Sequence, residues 1–168
     1  ICAAPGKELI CADFSAIEGR GLAYLAGEEW VLDAYRDGKD MYKLTAAKAL
    51  GKTYEEITKD ERNKLGKPGE LGCGYGGSFN AIRNVGGGKG MEDEEIVEQI
   101  VRPWRKARPN ITGYWYAVEE AAMQAIQNPG KIFKVGSGAV PVTFKVVGPA
   151  LICQLPSGRN ITYIQPNI

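Results

Sequence analysis

The sequence has 168 residues, of which 44% are hydrophobic and 24% charged, a composition that fits one globular domain and not a disordered, collagenous or membrane-spanning chain. It contains no histidine, which excludes histidine acid–base catalysis, Ser-His-Asp hydrolysis and zinc sites built on histidine; no zinc is expected. Its 21 Lys+Arg against 20 Asp+Glu leave a net charge of +1, so bulk electrostatic attraction to nucleic acid is excluded and any such partner must be held by a locally arranged surface.

The Pro5-Gly6 turn precedes a short apolar run, Glu8-Leu9-Ile10-Cys11-Ala12, which is expected to be a buried strand. Ile17, Leu22, Leu25 and Ala26 then fit a helix stopped by Gly27. A second helix is expected from about Glu28 to Arg36, ending at Gly38. A third should run from Asp40, as N-cap, to Leu50, with Gly51 as the stop. Thr58-Lys59-Asp60-Glu61 reads as the next helix start, its acidic side chains suited to the N-terminal dipole. Gly66 to Gly77, with Pro68 inside it, is a poor helix on propensity. Gly86-Gly87-Gly88 is a loop, and Glu92 to Gln127 is helical, broken at Pro103 and Pro109.

After Pro129-Gly130 the pattern becomes β, with strands at Ile132–Val135, Val140–Val147, Ala150–Leu155 and Asn160–Ile164. Gly136-Ser137-Gly138 and Pro156-Ser157-Gly158 supply turns. One strand, a helical block and an antiparallel sheet make an α+β fold. Cys2, Cys11, Cys73 and Cys153 form no Cys-x-x-Cys pair, and the opening residues do not read as a secretory leader. Free buried thiols in a reducing compartment are expected. Ile1 opens in mid-segment and Ile168 directly follows an expected strand, so a fragment of a longer protein is expected.

Three segments carry chemistry. Asp13 ends the first expected strand as the chain enters a helix, a rigid and partly desolvated position from which a carboxylate could ligate Mg²⁺. The alternative, that Asp13 or Ser15 only caps the helix, is open at this point. In Arg62–Gly77, a helix would put Lys67, Leu71 and Tyr75 on one face. A cationic end and an aromatic end on one face suit a nucleotide, the cation for the triphosphate and the ring for the base; an exposed basic turn before a tightly packed glycine-rich helix is the competing reading. Gly72-x-Gly74-x-x-Gly77 matches a dinucleotide-binding fingerprint, but no apolar strand precedes it as a βαβ unit requires. The third segment, Arg102 to Ile111 with Tyr114-Trp115-Tyr116, interleaves basic and aromatic residues. It suits either single-stranded nucleic acid or a core with a solvated basic face.

Together these residues resemble the family A (Pol I-like) DNA polymerases, especially the phage and prophage branch. Asp13-Phe14-Ser15-Ala16-Ile17-Glu18-Gly19-Arg20 is similar to motif A of that family. Gly38-Lys39-Asp40-Met41-Tyr42 resembles the next segment of the fingers, and Lys67 to Gly77 resembles motif B, the O helix. Pro103-Trp104-Arg105 and Leu155-Pro156-Ser157-Gly158-Arg159 match the branch as well. The resemblance implies a polymerase right hand: residues 1–27 as palm strand and motif A helix, 28–128 mainly fingers with motif B at 62–77, and 129–168 a β-rich segment on the palm side.

Carried over residue by residue, the resemblance implies template-directed DNA synthesis with two Mg²⁺ ions, primer–template DNA and dNTP, no membrane, and the cytoplasm of a bacterial or phage-infected cell. Asp13 and the Phe14 carbonyl would hold metal. Glu18 would sit under the dNTP sugar and exclude a 2′-hydroxyl, and Lys67 would bind phosphates. Leu71 and Tyr75 would flank the sugar and nascent base pair, with Tyr42 beside the triphosphate or sugar. Arg20 would support the primer side, and Arg62 would also meet DNA. The family carries an Arg at the spacing of Asn63; here Arg62 comes one residue early, and on a regular helix Asn63 and Lys64 fall near the Lys67 face while Arg62 points away, so Lys64 is the better-placed substitute and is expected to bind dNTP. Pro68 and the added glycines are expected to kink or loosen this helix. Motif C, a His-Asp-Glu turn with the second catalytic carboxylate, has no counterpart here, so these residues alone are expected to be inactive. A non-catalytic nucleic-acid-binding module with the same fold is the alternative.

Overall fold

The computed structural model describes residues 2–136 and 141–166. Helix α1 spans Ile17–Ala26, α2 Glu29–Arg36 and α3 Met41–Leu50. Their ends are where the sequence put them. Gly27 closes α1 at φ 72°, with its N–H bonded to the Ala23 and Tyr24 carbonyls. Asp40 caps α3, its carboxylate accepting from the backbone N–H of Tyr42 and Lys43. Thr58 and Glu61 form a reciprocal capping box at the start of α4, Lys59–Glu61.

The expected strand at Glu8–Ala12 does not form. Leu9 is 56% and Ile10 92% exposed, and the four-stranded sheet is built from other residues. A strand needs a neighbour for its N–H and C=O groups, and no described residue pairs with this segment. Cys11 therefore stays exposed, as does Cys2; only Cys73 and Cys153 are buried as expected. Burial pushes the Cys73 thiol up to about 12.

The glycine-rich segment is helical, contrary to its propensity. From α4 the chain continues as a π-helical segment, Arg62–Gly66, and then as α5, Lys67–Gly74. A second π-helical segment, Val97–Val101, joins α7 (Asp93–Ile96) to α8 (Arg102–Ala107). Each π segment ends two residues before a proline, Pro68 or Pro103. The residue just before the proline bonds five positions back, Lys67 to Arg62 and Arg102 to Val97. A proline offers no N–H and crowds the carbonyl four residues earlier. A π turn lodges an extra residue at that point and lets the helix pass. The expected break at Pro103 is thus absent, whereas Pro109 starts a new helix, α9 (Pro109–Gln127), after a non-helical Arg108 at φ −130°.

The glycines make this arrangement possible by close packing. A Cβ on Gly66 would overlap the Tyr42 carbonyl, one on Gly69 would stand 2.7 Å from an Ile100 methyl, and one on Gly72 2.9 Å from Ile82. A stripe of glycines lets α5 lie directly on α3, on α6 (Phe79–Asn84) and on the second π segment. The helical core beside it is Cys73, Ile82, Ile96, Ile100, Trp104 and Ile111. Gly66→Ala, which meets backbone rather than a movable side chain, is expected to cost about 3 kcal/mol. The midpoint of urea unfolding, at an unchanged slope, checks it.

The C-terminal part is an antiparallel meander in the order β1 (Phe133–Val135), β2 (Val142–Val147), β3 (Ala150–Gln154), β4 (Asn160–Ile164). Phe144 pairs with Cys153 and Val135 with Val142, so Val135, Val142, Phe144, Leu151 and Cys153 share the face packed on Ala121 and Ala125 of α9. Ser137, Gly138 and Val140 of the expected turn and strand lie outside the described residues. The α+β class is realised.

Candidate active site

Helix α1 starts beside Asp13 and faces α5 across a cleft of about 400 Å³. Glu18 and Leu22 line one wall, Leu71, Gly74 and Tyr75 the other, with Tyr35 and Tyr42 at one end. The Tyr75 phenol is held above its ordinary pKa, first by a hydrogen bond with Glu18 and then by burial and the carboxylate charge. Glu18 and Tyr75 thus approach each other at the mouth of the cleft, where both are exposed. Arg20, the other partner open to it, instead donates to the Ser15 carbonyl at 3.0 Å and stacks 4.3 Å from the Tyr35 ring. Gly19 lets Tyr35 approach α1 closely, since a Cβ would overlap the Tyr35 hydroxyl and displace it. Burial is the largest cause raising that phenol to about 12.

Tyr35 and Tyr42 also line an adjoining hollow of about 330 Å³, with Arg20, Lys39, Asp40 and Arg62 around it. One side of the paired cavities is thus apolar and aromatic and the other cationic. Arg62 reaches this hollow because of the π turn. The Lys67 N–H to Arg62 carbonyl bond stacks residues 62 and 67 one turn apart on one face, as residues four apart stack in an α-helix. The regular-helix expectation that Arg62 points away is therefore corrected. Arg62 lies 4.7 Å from the Tyr42 ring centroid and pairs with Asp40 at 2.6 Å. Lys64 instead pairs with Asp60 at 2.8 Å, both well exposed.

Asp13, Phe14 and Lys67 line neither cavity. Asp13 and Lys67 are exposed, and their side chains make no hydrogen bond or ion pair among the described residues; Phe14 is 80% exposed. No side-chain cap closes the start of α1, where Ala16 sits in the left-handed region at φ 51°, so Asp13 and Ser15 do not act as helix caps. On the other side of Tyr75 a larger cleft of about 980 Å³ runs between α9 and the sheet, past Trp115, Tyr116, Phe144 and Tyr163. Of the expected site residues it contains Tyr75 alone. In the third sequence segment, Trp104 is core and stacks parallel to Trp115 at 5.8 Å, while Tyr116 is 66% exposed.

Two polar groups that sequence reading missed are Glu28 and Glu70. Glu28 is 3% exposed and its carboxylate accepts from the N–H of Asn110 and Ile111, capping α9 from a distance. Glu70 accepts at one oxygen from Thr45, Trp104 and Arg108. A glutamate inside a glycine-rich helix was the only signal available for it.

Residues 1–127 match the family model described as DNA polymerase family A. The chain belongs to DNA polymerase family A. It is 39% identical over 165 residues to the DNA polymerase of Bacillus phage SP02, covering 97% of this chain and 25% of the phage protein. It is 34% identical over 160 residues to the DNA polymerase of Mycobacterium phage D29, covering 94% and 24%. This family A chain thus spans about a quarter of the length of both relatives. The POL domain of Pol1 from M. smegmatis, solved in complex with DNA primer-template and dNTP, shares the fold with a TM-score of 0.52 and 23% identity, covering 68% of this chain and 19% of that one. Among the described residues no helix is long and apolar enough to cross a membrane.

Proposed function

We propose that this segment forms the incoming-nucleotide side of a template-directed DNA polymerase, joining dNTP to a primer 3′-hydroxyl within the complete protein. The observation that carries the reading is the pair of joined cavities: Glu18 and Tyr75 meet across the apolar cleft, and Arg20, Lys39 and Arg62 surround the hollow that shares Tyr42 with it. The sugar and base belong in the first and the triphosphate in the second, with Leu71 against the sugar and Lys67 reaching in from the rim. Arg62, on the Lys67 face, takes the phosphate-side role rather than a DNA contact, and Lys64 is left to Asp60. Primer–template DNA lies on the Arg20 side.

Asp13 offers an exposed, unpartnered carboxylate and Phe14 a carbonyl, both hard oxygen donors that suit Mg²⁺. No group of three or more metal-ligating side chains occurs among the described residues, so the remaining donors are substrate phosphates and a second carboxylate elsewhere in the polymerase. When bound, two such ions supply charge stabilisation to the attacking and leaving oxygens. The chain's own part is positioning and a cationic clamp on the triphosphate.

Sugar choice tests this reading. Glu18, fixed by Tyr75, fills the space that a 2′-hydroxyl would need. Glu18→Ala in the complete polymerase is expected to raise rNTP use relative to dNTP by about a hundredfold, within what one steric contact can discriminate. Single-nucleotide insertion kinetics with matched dNTP and rNTP measure it. An unaltered ratio in a folded, active variant would remove Glu18 from the sugar site, and a wild-type protein that binds DNA without inserting either nucleotide would favour a non-catalytic binding module.

A further inference from the structure

We infer that the buried Glu70–Arg108 pair is a positioning latch that sets the rotation of helix α5 and so aims Lys67, Leu71 and Tyr75 at the nucleotide. The inference rests on the polymerase reading above.

Helix α5 has two unlike faces. Lys67, Leu71 and Tyr75 lie outward, and Gly66, Gly69, Gly72 and Cys73 are packed inward. Helices are usually held against rolling by side-chain ridges seated in the grooves of a neighbour. Glycines give a close approach but no ridges, and only Pro68 and Cys73 add buried side chains to this helix, so little interlocking opposes rotation. Glu70 provides the directional contact instead. One of its oxygens accepts from Thr45 Oγ1 of α3 at 2.5 Å, from Trp104 Nε1 of α8 at 2.7 Å and from Arg108 Nη2 at 2.8 Å. Rolling or sliding α5 breaks bonds to α3, to α8 and to the α8–α9 junction at once.

The anchor is rigid. Arg108 is 0% exposed, and its guanidinium lies 4.4 Å from the Trp104 ring centroid and 5.0 Å from that of Trp30. Trp30 is itself fixed by an Nε1 bond to the Ala107 carbonyl at 2.8 Å. The same Nη2 also reaches Thr45 Oγ1 at 3.2 Å, while Nε and Nη1 of Arg108 are buried with no hydrogen-bond partner among the described residues. Buried ion pairs are often matched or bettered in stability by apolar residues of similar volume, and their best-attested use is to fix one arrangement among several. Here the arrangement fixed is the orientation of the nucleotide-facing side of α5, since Glu70 precedes Leu71 and lines the same cleft as Glu18 and Tyr75.

The test uses the complete polymerase and compares E70Q, R108M and E70M/R108M with wild type by thermal unfolding, primer–template affinity, and KM and kcat for dNTP. Each single variant leaves one buried partner uncompensated, and the double variant is expected to unfold at a higher temperature than either. Its primer–template affinity should stay within about twofold of wild type while its KM for dNTP rises about tenfold or more, the penalty expected when binding groups are misplaced by a fraction of an ångström. A double variant that recovers stability and shows a wild-type KM for dNTP would overturn the latch, because the pair would then be structural only. Where the double variant does not fold, E70Q, which keeps the shape and two of the hydrogen bonds, is read by the same criterion. Wild-type protein without dNTP turnover would remove the polymerase reading itself; normal wild-type turnover with unchanged variants removes the latch alone.

Discussion

Asp13→Ala is expected to lower kcat/KM for dNTP in the complete polymerase at least about a thousandfold, some 4 kcal/mol of transition-state stabilisation. The size follows from what this carboxylate can do and from what it does not do. It is exposed, caps no helix and makes no hydrogen bond or ion pair among the described residues, so its loss removes nothing that holds the fold. Surface substitutions of that kind stay within about 0.5 kcal/mol in stability. On the proposed reading this unpaired anion, three residues before the left-handed Ala16, is held for a cation that comes with the substrate. Asp13→Ala should therefore unfold at the wild-type temperature and bind primer–template normally, yet extend primers at a rate near background. Asp13→Asn, which keeps the size and one oxygen donor but not the charge, should be nearly as slow. Wild-type turnover by either variant would take Asp13 out of the metal site.

Much of the helical part was legible because its stops are local. Gly27, Gly38 and Gly51 adopt the positive φ that their places after helices demanded, and Asp40 caps α3 as its position predicted. The strand at Glu8–Ala12 was illegible for the opposite reason. An apolar run becomes a strand only when a neighbour accepts its hydrogen bonds, and that neighbour cannot be read from the run itself. The glycine-rich helix was misjudged because propensity counts the entropy that glycine loses, whereas Gly66, Gly69 and Gly72 allow contacts with α3, α6 and the second π segment that outweigh it. The site shows the same division. The residue types on the Lys67, Leu71 and Tyr75 face were readable from spacing. The position of Arg62 was not, because regular-helix arithmetic fails across a π turn, and the proline two residues beyond that turn was read as a kink. Glu70 was passed over because its three partners come from α3, α8 and the α8–α9 junction, far from it in sequence.

Lys67→Ala is expected to lower kcat/KM for dNTP about a hundredfold, close to 2.7 kcal/mol and within the range for losing one strong charge-assisted contact to developing phosphate charge. Three cations lie in this stretch, and their existing partners rank them. Lys64 is occupied by Asp60 at 2.8 Å on the open surface, so Lys64→Ala should change kcat/KM less than about twofold, as exposed pairs contribute little. Arg62 is partly committed to Asp40 at 2.6 Å and to the Tyr42 ring, so a triphosphate gains from it only after displacing some of that interaction. Arg62→Ala should therefore cost less than Lys67→Ala, about tenfold. Lys67 has no carboxylate among the described residues, and its full charge is available to the substrate. Because the π turn stacks residues 62 and 67 on one face, the proposed reading has both cations meet the same triphosphate, and their losses should then not add. The double variant is expected to fall short of the product of the single effects, with a coupling of at least about 0.5 kcal/mol. Steady-state insertion kinetics on the four proteins of this cycle, with Lys64→Ala as the control, measure it. Independent effects of Arg62 and Lys67, or a Lys64→Ala loss as large as that of Lys67→Ala, would show that the π turn does not bring Arg62 to the phosphates.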